Sequence, residues 1–508
     1  MVATTESSTR TDNDGRSLRA FLESASWDSR LASCSPRDAE RMRAGVDTLN
    51  KALAEGRPVY GVTQGYGPLV DFAASESVVE QGTGLISHLG TAQGEPLPPD
   101  VSRLVVWLRL RSMLQGYSAV LPERWERLAA LWNEHFTPVI PRDGTVSASG
   151  DLQPLAHAAL AHSGVGEAWL RDAEGVWRRR PAADALRELG AQPFEWPARE
   201  ALAFVNGTSV GLARTMVNHQ EAVRLVRAVA ALTGRIVGML GSNPQAYAAG
   251  IGLARGQSGQ LNAARWIRDE LPPDMEYDDS RPLQEPYSLR CAPQVLGAVL
   301  DQLDAIEPIL VAEAGGCTDN PVSYEGEVLH GGNFHAMPVG LASDQIGLCL
   351  QQIAFLADRQ LSLLCTPSSN GGLAPMLTPF PGRASGLAGV QLSATSFTSR
   401  IRQLVYPASL TALPTNGGNQ DHVPMALNGA NSVAEAVDLA WLVVGSLALG
   451  ATQYSALTGA GLPAEGVWAR IAEVSPPLEL DRPLAADVRA ARDLVRADAE
   501  TRLAKGEL

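Results

Sequence analysis

Five segments of this 508-residue chain, 211–241, 293–313, 339–364, 385–404 and 433–457, are apolar-rich and helix-compatible. Each outruns the mean globular helix of about 11–12 residues. Several are apolar on most faces, so no side can be left to water and other helices must cover them. Strand signals are few. These segments predict a mainly α chain, an elongated multi-helix bundle buried further by self-association. With 45% hydrophobic and 19% charged residues, a sizeable core is within reach. The longest apolar run, about 439–451, is short for a membrane span and suits a buried helix, so no membrane association is expected.

Charge excludes one class of partner. Lys and Arg total 41 against 55 Asp and Glu, a net charge of −14 with no clustered basic face, so nucleic acid is not an expected partner. Cys34, Cys291, Cys317, Cys349 and Cys365 lie far apart and form no CxxC pair. They read as reduced thiols of a cytoplasmic protein. The first sixteen residues are polar and rich in Ser and Thr, without the pattern of a signal peptide. The expected organisation is a flexible tail over 1–20, a catalytic region over 21–200, and a long-helix bundle with a C-terminal helical segment over 201–508.

Taken in order, Ser35 caps a helix over 36–55, with Pro36 at its first position, Asp38 completing a capping pair and Gly56 ending it. Met42, Val46, Leu49 and Leu53 recur on one face. Tyr60-Gly61-Val62-Thr63-Gln64-Gly65-Tyr66-Gly67 is a glycine-rich aromatic loop, read either as a lid or as a tight structural turn. Its glycine spacing does not fit a phosphate loop, so no nucleotide is expected. His88 sits on an apolar helical stretch, where a core histidine is the plain reading. The pattern is helical from 101 to 131, breaks at Pro138–Pro141, and resumes over 152–162. Residues 169–196 look like a surface excursion with Arg178–Arg180 solvated. Polar breaks at 204–208, 281–290, 316–321, 330–335 and 414–422 punctuate the long helices, as expected of a polar site built at helix ends. His330 and His335 with Asp319 or Asp421 suggest a metal. Their spacing does not put both histidines on one helix face, and no metal is expected.

The chemistry centres on Ala148-Ser149-Gly150. A chain folded tightly at Ser149 lets the Gly150 nitrogen attack the Ala148 carbonyl, since glycine has no side chain in the way. Loss of two waters leaves a five-membered ring with an exocyclic methylene, an electrophile that no ordinary side chain supplies. The alternative is a simple helix start with Ser149 or Asp151 as cap.

Six motifs in order resolve that choice: Tyr60-Gly61-Val62-Thr63, Ser87-His88, Ala148-Ser149-Gly150-Asp151, Phe204-Val205-Asn206-Gly207-Thr208, Tyr287-Ser288-Leu289-Arg290 and Asn419-Gln420-Asp421. From about Trp27 to the C-terminal region the chain resembles the aromatic amino acid ammonia-lyases and aminomutases. These share a fumarase-like helical fold and use the self-made 4-methylidene-imidazol-5-one (MIO) group. Within the family it looks most like the actinobacterial tyrosine ammonia-lyases that supply coumarate to antibiotic pathways. The resemblance implies that Ala148, Ser149 and Gly150 form the electrophile and that Tyr60 is the base. It implies that Asn206 and Tyr287 hydrogen-bond near the ring, that Arg290 binds the substrate carboxylate, and that Phe334 and Gln420 line the site. His88 and Leu89 would select the side chain, with Gly67 also against substrate. Histidine-specific members carry Glu where this chain has Gln420, which argues against a histidine substrate. The resemblance implies L-tyrosine converted to trans-4-coumarate and ammonia by a homotetramer, with Tyr60, Tyr287 and Gln420 on different chains around each ring. A tyrosine 2,3-aminomutase making β-tyrosine, a phenylalanine-specific enzyme and an inactive helical binding protein are the alternatives. Tyr66 departs from the family's usual Phe in the Gly-rich loop.

Overall fold

Ser35 begins the first long helix as expected. Its hydroxyl accepts from the Asp38 backbone N–H at 3.1 Å, and the helix runs Pro36–Ala54 before Gly56 turns away at φ +68°. In the computed structural model, residues 17–172, 174–273, 275, 279–459 and 465–505 are described. The tail expected over residues 1–16 lies outside them.

Val78–Leu89 carries His88. The helical pattern over 101–131 divides into two helices, Pro99–Leu114 and Pro122–Asn133. Gly116 at φ +83° and Ala119 at φ +50° take left-handed conformations that end the first helix. The Gly116 carbonyl presses on Gly45, where any Cβ would collide with it. The region 169–196 is more than a surface excursion. Glu167–Arg171 and Trp177–Pro181 pair antiparallel, Trp169 opposite Arg179, and Thr137–Pro138 adds a third strand. Arg178, Arg179 and Arg180 are exposed and pair with Asp172, Glu167 and Glu188. Strand alternation turns Ala168 inward, where it packs with Ala182 and Leu186 of helix Ala182–Glu188 and with Leu131, Phe136 and Ala161.

The five long segments form helices Ser209–Leu240, Ala292–Gly315, Met337–Leu364, Ala388–Leu404 and Ala426–Thr458. Met337–Leu364 and Ala426–Thr458 are long and apolar enough to cross a membrane by length and composition. In each, most of the apolar stretch, 61% and 78%, is buried within the protein, as in core helices.

Backbone contacts divide the chain into two units. One holds residues up to 217 with 307–344 and 407–431. The other holds 218–306, 345–406 and 432 onward. They are interleaved rather than split once near residue 200, because four of the long helices contain the division points. The first unit gathers the loops around Tyr60, Ser149, Asn206, Asn320 and Gln420. The second is tied by buried carboxylates. Glu221 accepts from Trp441 Nε1 and Arg496 Nη2, both at 2.8 Å.

Candidate active site

Around Ser149 the backbone is tightly folded. Ser147 stands at φ +56° and Gly150 at φ +74°, and a Cβ at 150 would land on the Gly207 backbone. Only glycine meets both demands. Asp151 is fully buried and leads directly into helix Leu152–His162, yet its side chain makes no capping bond there. Its carboxylate instead accepts from Val210 N–H at 3.0 Å and Gly211 N–H at 2.7 Å, at the start of Ser209–Leu240, and from Ser147 Oγ at 2.7 Å. Burial pushes the Asp151 carboxyl up, against the pull of those donors. Asp151 therefore ties the Ser149 turn to a helix start far along the chain.

Ser149 is gripped at both oxygens. Asn206 Nδ2 donates to its carbonyl at 2.8 Å, and Gln420 Nε2 donates to its hydroxyl at 2.7 Å. Asn206 is itself fixed, its Oδ1 accepting from Asn320 N–H at 2.9 Å and its carbonyl from the buried Arg109. Burial lowers the Arg109 guanidinium pKa. Gln420 is delivered because Val423 and Met425 pack on Ala148 and Met425 N–H donates to the Val146 carbonyl at 3.1 Å.

Ser149 and Gly150 open on a cleft of about 970 Å³ in the first unit. Tyr60, Gly67, His88, Leu89, Phe334 and Gln420 also line it. The Tyr60 hydroxyl accepts from Gly67 N–H at 2.8 Å, a donor that favours the phenolate. Burial outweighs it and pushes the phenol up. Tyr66 Oη donates to the Gly61 carbonyl at 3.1 Å, and its ring stands edge-on to Tyr60 at 6.2 Å. His88 Nδ1 lies 3.1 Å from the Gly84 carbonyl. A carbonyl only accepts, so Nδ1 carries a proton, and in that tautomer Nε2 is the acceptor.

The model of the family described as aromatic amino acid lyase matches residues 18–493. The chain belongs to that family. Among solved structures it is similar to a tyrosine aminomutase from Streptomyces globisporus, at 29% identity over 97% of this chain and 98% of that one, with a TM-score of 0.88. A histidine ammonia-lyase from Trypanosoma cruzi gives 26%, 97%, 94% and 0.85 on the same measures. A phenylalanine aminomutase from Pantoea agglomerans gives 25%, 95%, 97% and 0.86. The mainly helical fold expected of the aromatic amino acid lyases is the one observed.

In this chain, Tyr287 and Arg290 do not line the cleft. They stand in the second unit on the short helix Tyr287–Arg290, Tyr287 being 71% exposed with the Arg290 guanidinium 4.8 Å over its ring. Tyr60 and Gln420, expected on different chains, line the same cleft of one chain, since the packing around Met425 carries Gln420 to Ser149. Asn320, Asn416 and Asn419 line it too, unassigned although each falls in a polar break. Gln81, Leu152 and Leu202 gave no such signal. His335 and His422 meet at 3.3 Å, but no group of three or more metal-ligating side chains gathers among the described residues. Asp319 pairs with Arg199.

Proposed function

We propose that this aromatic amino acid lyase deaminates L-tyrosine without oxidation, releasing trans-4-coumarate and ammonia. The observation that carries the proposal is the grip on Ser149, one donor on its carbonyl and another on its hydroxyl, in a turn whose Gly150 admits no side chain. Those residues fit a ring closed from Ala148, Ser149 and Gly150. As MIO, that ring would supply an electrophilic methylene that makes the substrate amine a better leaving group. Asn206 polarises the Ser149 carbonyl with a preorganised donor. Gln420 orients the Ser149 hydroxyl. Tyr60 takes the proton from the carbon beside the substrate's aromatic ring. His88 Nε2 accepts from the substrate phenol, and Leu89 and Phe334 give apolar wall.

The cleft lacks one thing an amino acid needs. Among its described lining residues there is no Lys or Arg, and Glu80 is the carboxylate present. A substrate carboxylate therefore requires a cation from elsewhere. Arg290, beside exposed Tyr287, is the candidate, brought by a second copy in a homotetramer. Five unpaired cysteines suit a cytoplasmic setting.

The likeness to a tyrosine aminomutase favours a second reading, in which ammonia returns to the neighbouring carbon and β-tyrosine leaves. A time course of the purified enzyme with L-tyrosine, resolving coumarate, β-tyrosine and ammonia, separates the two. Coumarate and ammonia rising together from the start is the expected result. Early β-tyrosine with lagging coumarate establishes the mutase. Neither product, with Ser149 unmodified by intact mass, overturns both.

A further inference from the structure

The second unit holds a cavity of about 470 Å³ that the proposed chemistry does not use. Helices Ala388–Leu404, Ala426–Thr458 and Ala485–Ala504 wall it. The last two meet at Gly445, where a Cβ would stand 2.5 Å from the Val488 carbonyl and 3.0 Å from Arg492 Cβ. Gly389, Ser393, Ser446 and Ala485 bring small side chains beside that contact, and the cavity is the space they leave. Its apolar wall is Val390, Phe397, Leu442, Leu484 and Val488, all but Val390 only half-covered.

Its charges are unbalanced. Asp481 is satisfied by Ser385 N–H at 2.8 Å and Gly386 N–H at 3.1 Å. Arg482 pairs with Asp487 at 2.7 Å and Arg492 with Asp493 at 2.8 Å. Arg489, one turn before Arg492 on the same helix face, makes no hydrogen bond or ion pair among the described residues. Arg489 is thus an exposed surplus cation at the rim of a half-covered apolar wall. The volume lies in the range of small-molecule sites, about 300–1,000 Å³.

We propose that this cavity is a second ligand site, taking a hydrophobic monocarboxylate with its carboxylate on Arg489 and its body against Phe397, Leu442 and Val488. Such a ligand covers the half-exposed wall and completes the unpaired guanidinium with a charge-assisted pair. The body is an aryl ring or an acyl chain, and two probes distinguish them.

The test is calorimetric binding of trans-4-coumarate and of octanoate to the full-length protein as purified, with inorganic phosphate as a bare anion. Wild type is compared with Arg489→Gln, which removes the exposed cation, and Val488→Trp, which fills the cavity. We expect one probe per chain to bind at least tenfold more weakly in both variants, with tyrosine turnover unchanged, since neither residue lines the cleft. Coumarate alone identifies the aryl class and octanoate alone the acyl class. Isotherms identical in all three proteins overturn the proposal, and so does phosphate binding as tightly as either probe. The readout is the binding lost in Arg489→Gln and Val488→Trp, and coumarate held in the cleft as product, which both variants keep, does not count toward it, so the proposal stands or falls apart from the tyrosine reading.

Discussion

In the proposed reaction Asn206 meets an electrostatic demand, because its amide donates to the Ser149 carbonyl. Removing one preorganised donor of this kind lowers kcat by about 10²–10³. Asn206→Ala should fall in that range in steady-state turnover of tyrosine. In the proposed reaction His88 selects the side chain through Nε2 as acceptor. His88→Phe should move the ratio of tyrosine to phenylalanine kcat/KM toward phenylalanine by at least about tenfold, since the phenol loses its partner and the apolar ring gains one. In the proposed reaction Tyr60 sets the pH response. Its phenol is pushed above its usual value by burial, and the active phenolate appears only as pH rises. The kcat/KM profile should therefore climb through about pH 9 without a plateau, and Tyr60→Phe should abolish the rising limb.

At the scale of an element, helix Leu152–His162 ends on a titratable group with no room for charge. His162 is fully buried among Phe136, Trp196 and Phe204, and burial lowers its pKa to about 4. An unfolded histidine takes its proton near pH 6.5, whereas this one does not until about pH 4. The unfolded chain binds the extra proton within that window, so stability falls as pH drops through it. The loss reaches about 3 kcal/mol by the bottom of the window. Melting temperatures between pH 7 and pH 4.5 should show this fall, and His162→Gln should flatten it. The same helix begins at Asp151, whose carboxylate serves Ser209–Leu240 instead. A cap motif in sequence says that an N-terminus is near, not which one.

At the scale of the whole molecule, the proposal requires two copies for one site. Tyr60 and Ser149 share one chain's cleft, while Arg290 would come from another. Co-expressing Ser149→Ala with Tyr60→Phe subunits should recover nothing, because no mixed cleft is intact. Co-expressing Ser149→Ala with Arg290→Ala should restore about a quarter of wild-type turnover by random mixing. Assays of tagged, co-purified mixtures read this directly, and equal failure of both pairs counts against shared sites.

The sequence by itself determined the helical class. The apolar segments have the 3.6-residue period and a length that only helices covered by helices can bury. It also placed the helix start at Ser35, the requirement for glycine at 150, and part of the cleft's lining, namely Tyr60, Gly67, His88, Leu89, Ser149, Gly150, Asn206, Phe334 and Gln420. Its helical pattern over 101–131 did not show the break between two helices, since left-handed turns at Gly116 and Ala119 depend on contact with Gly45. It could not assign Asn320, Asn416 or Asn419, whose membership in the cleft is set by how separate loops pack. Tertiary structure alone decided that Asp151 caps a distant helix, that Gln420 reaches Ser149 within one chain, and that Tyr287 and Arg290 do not line that cleft. The first two are contacts between residues dozens to hundreds of positions apart, and the third is a contact not made. Periodicity and local propensity describe neighbours in sequence, whereas these partners are chosen by packing.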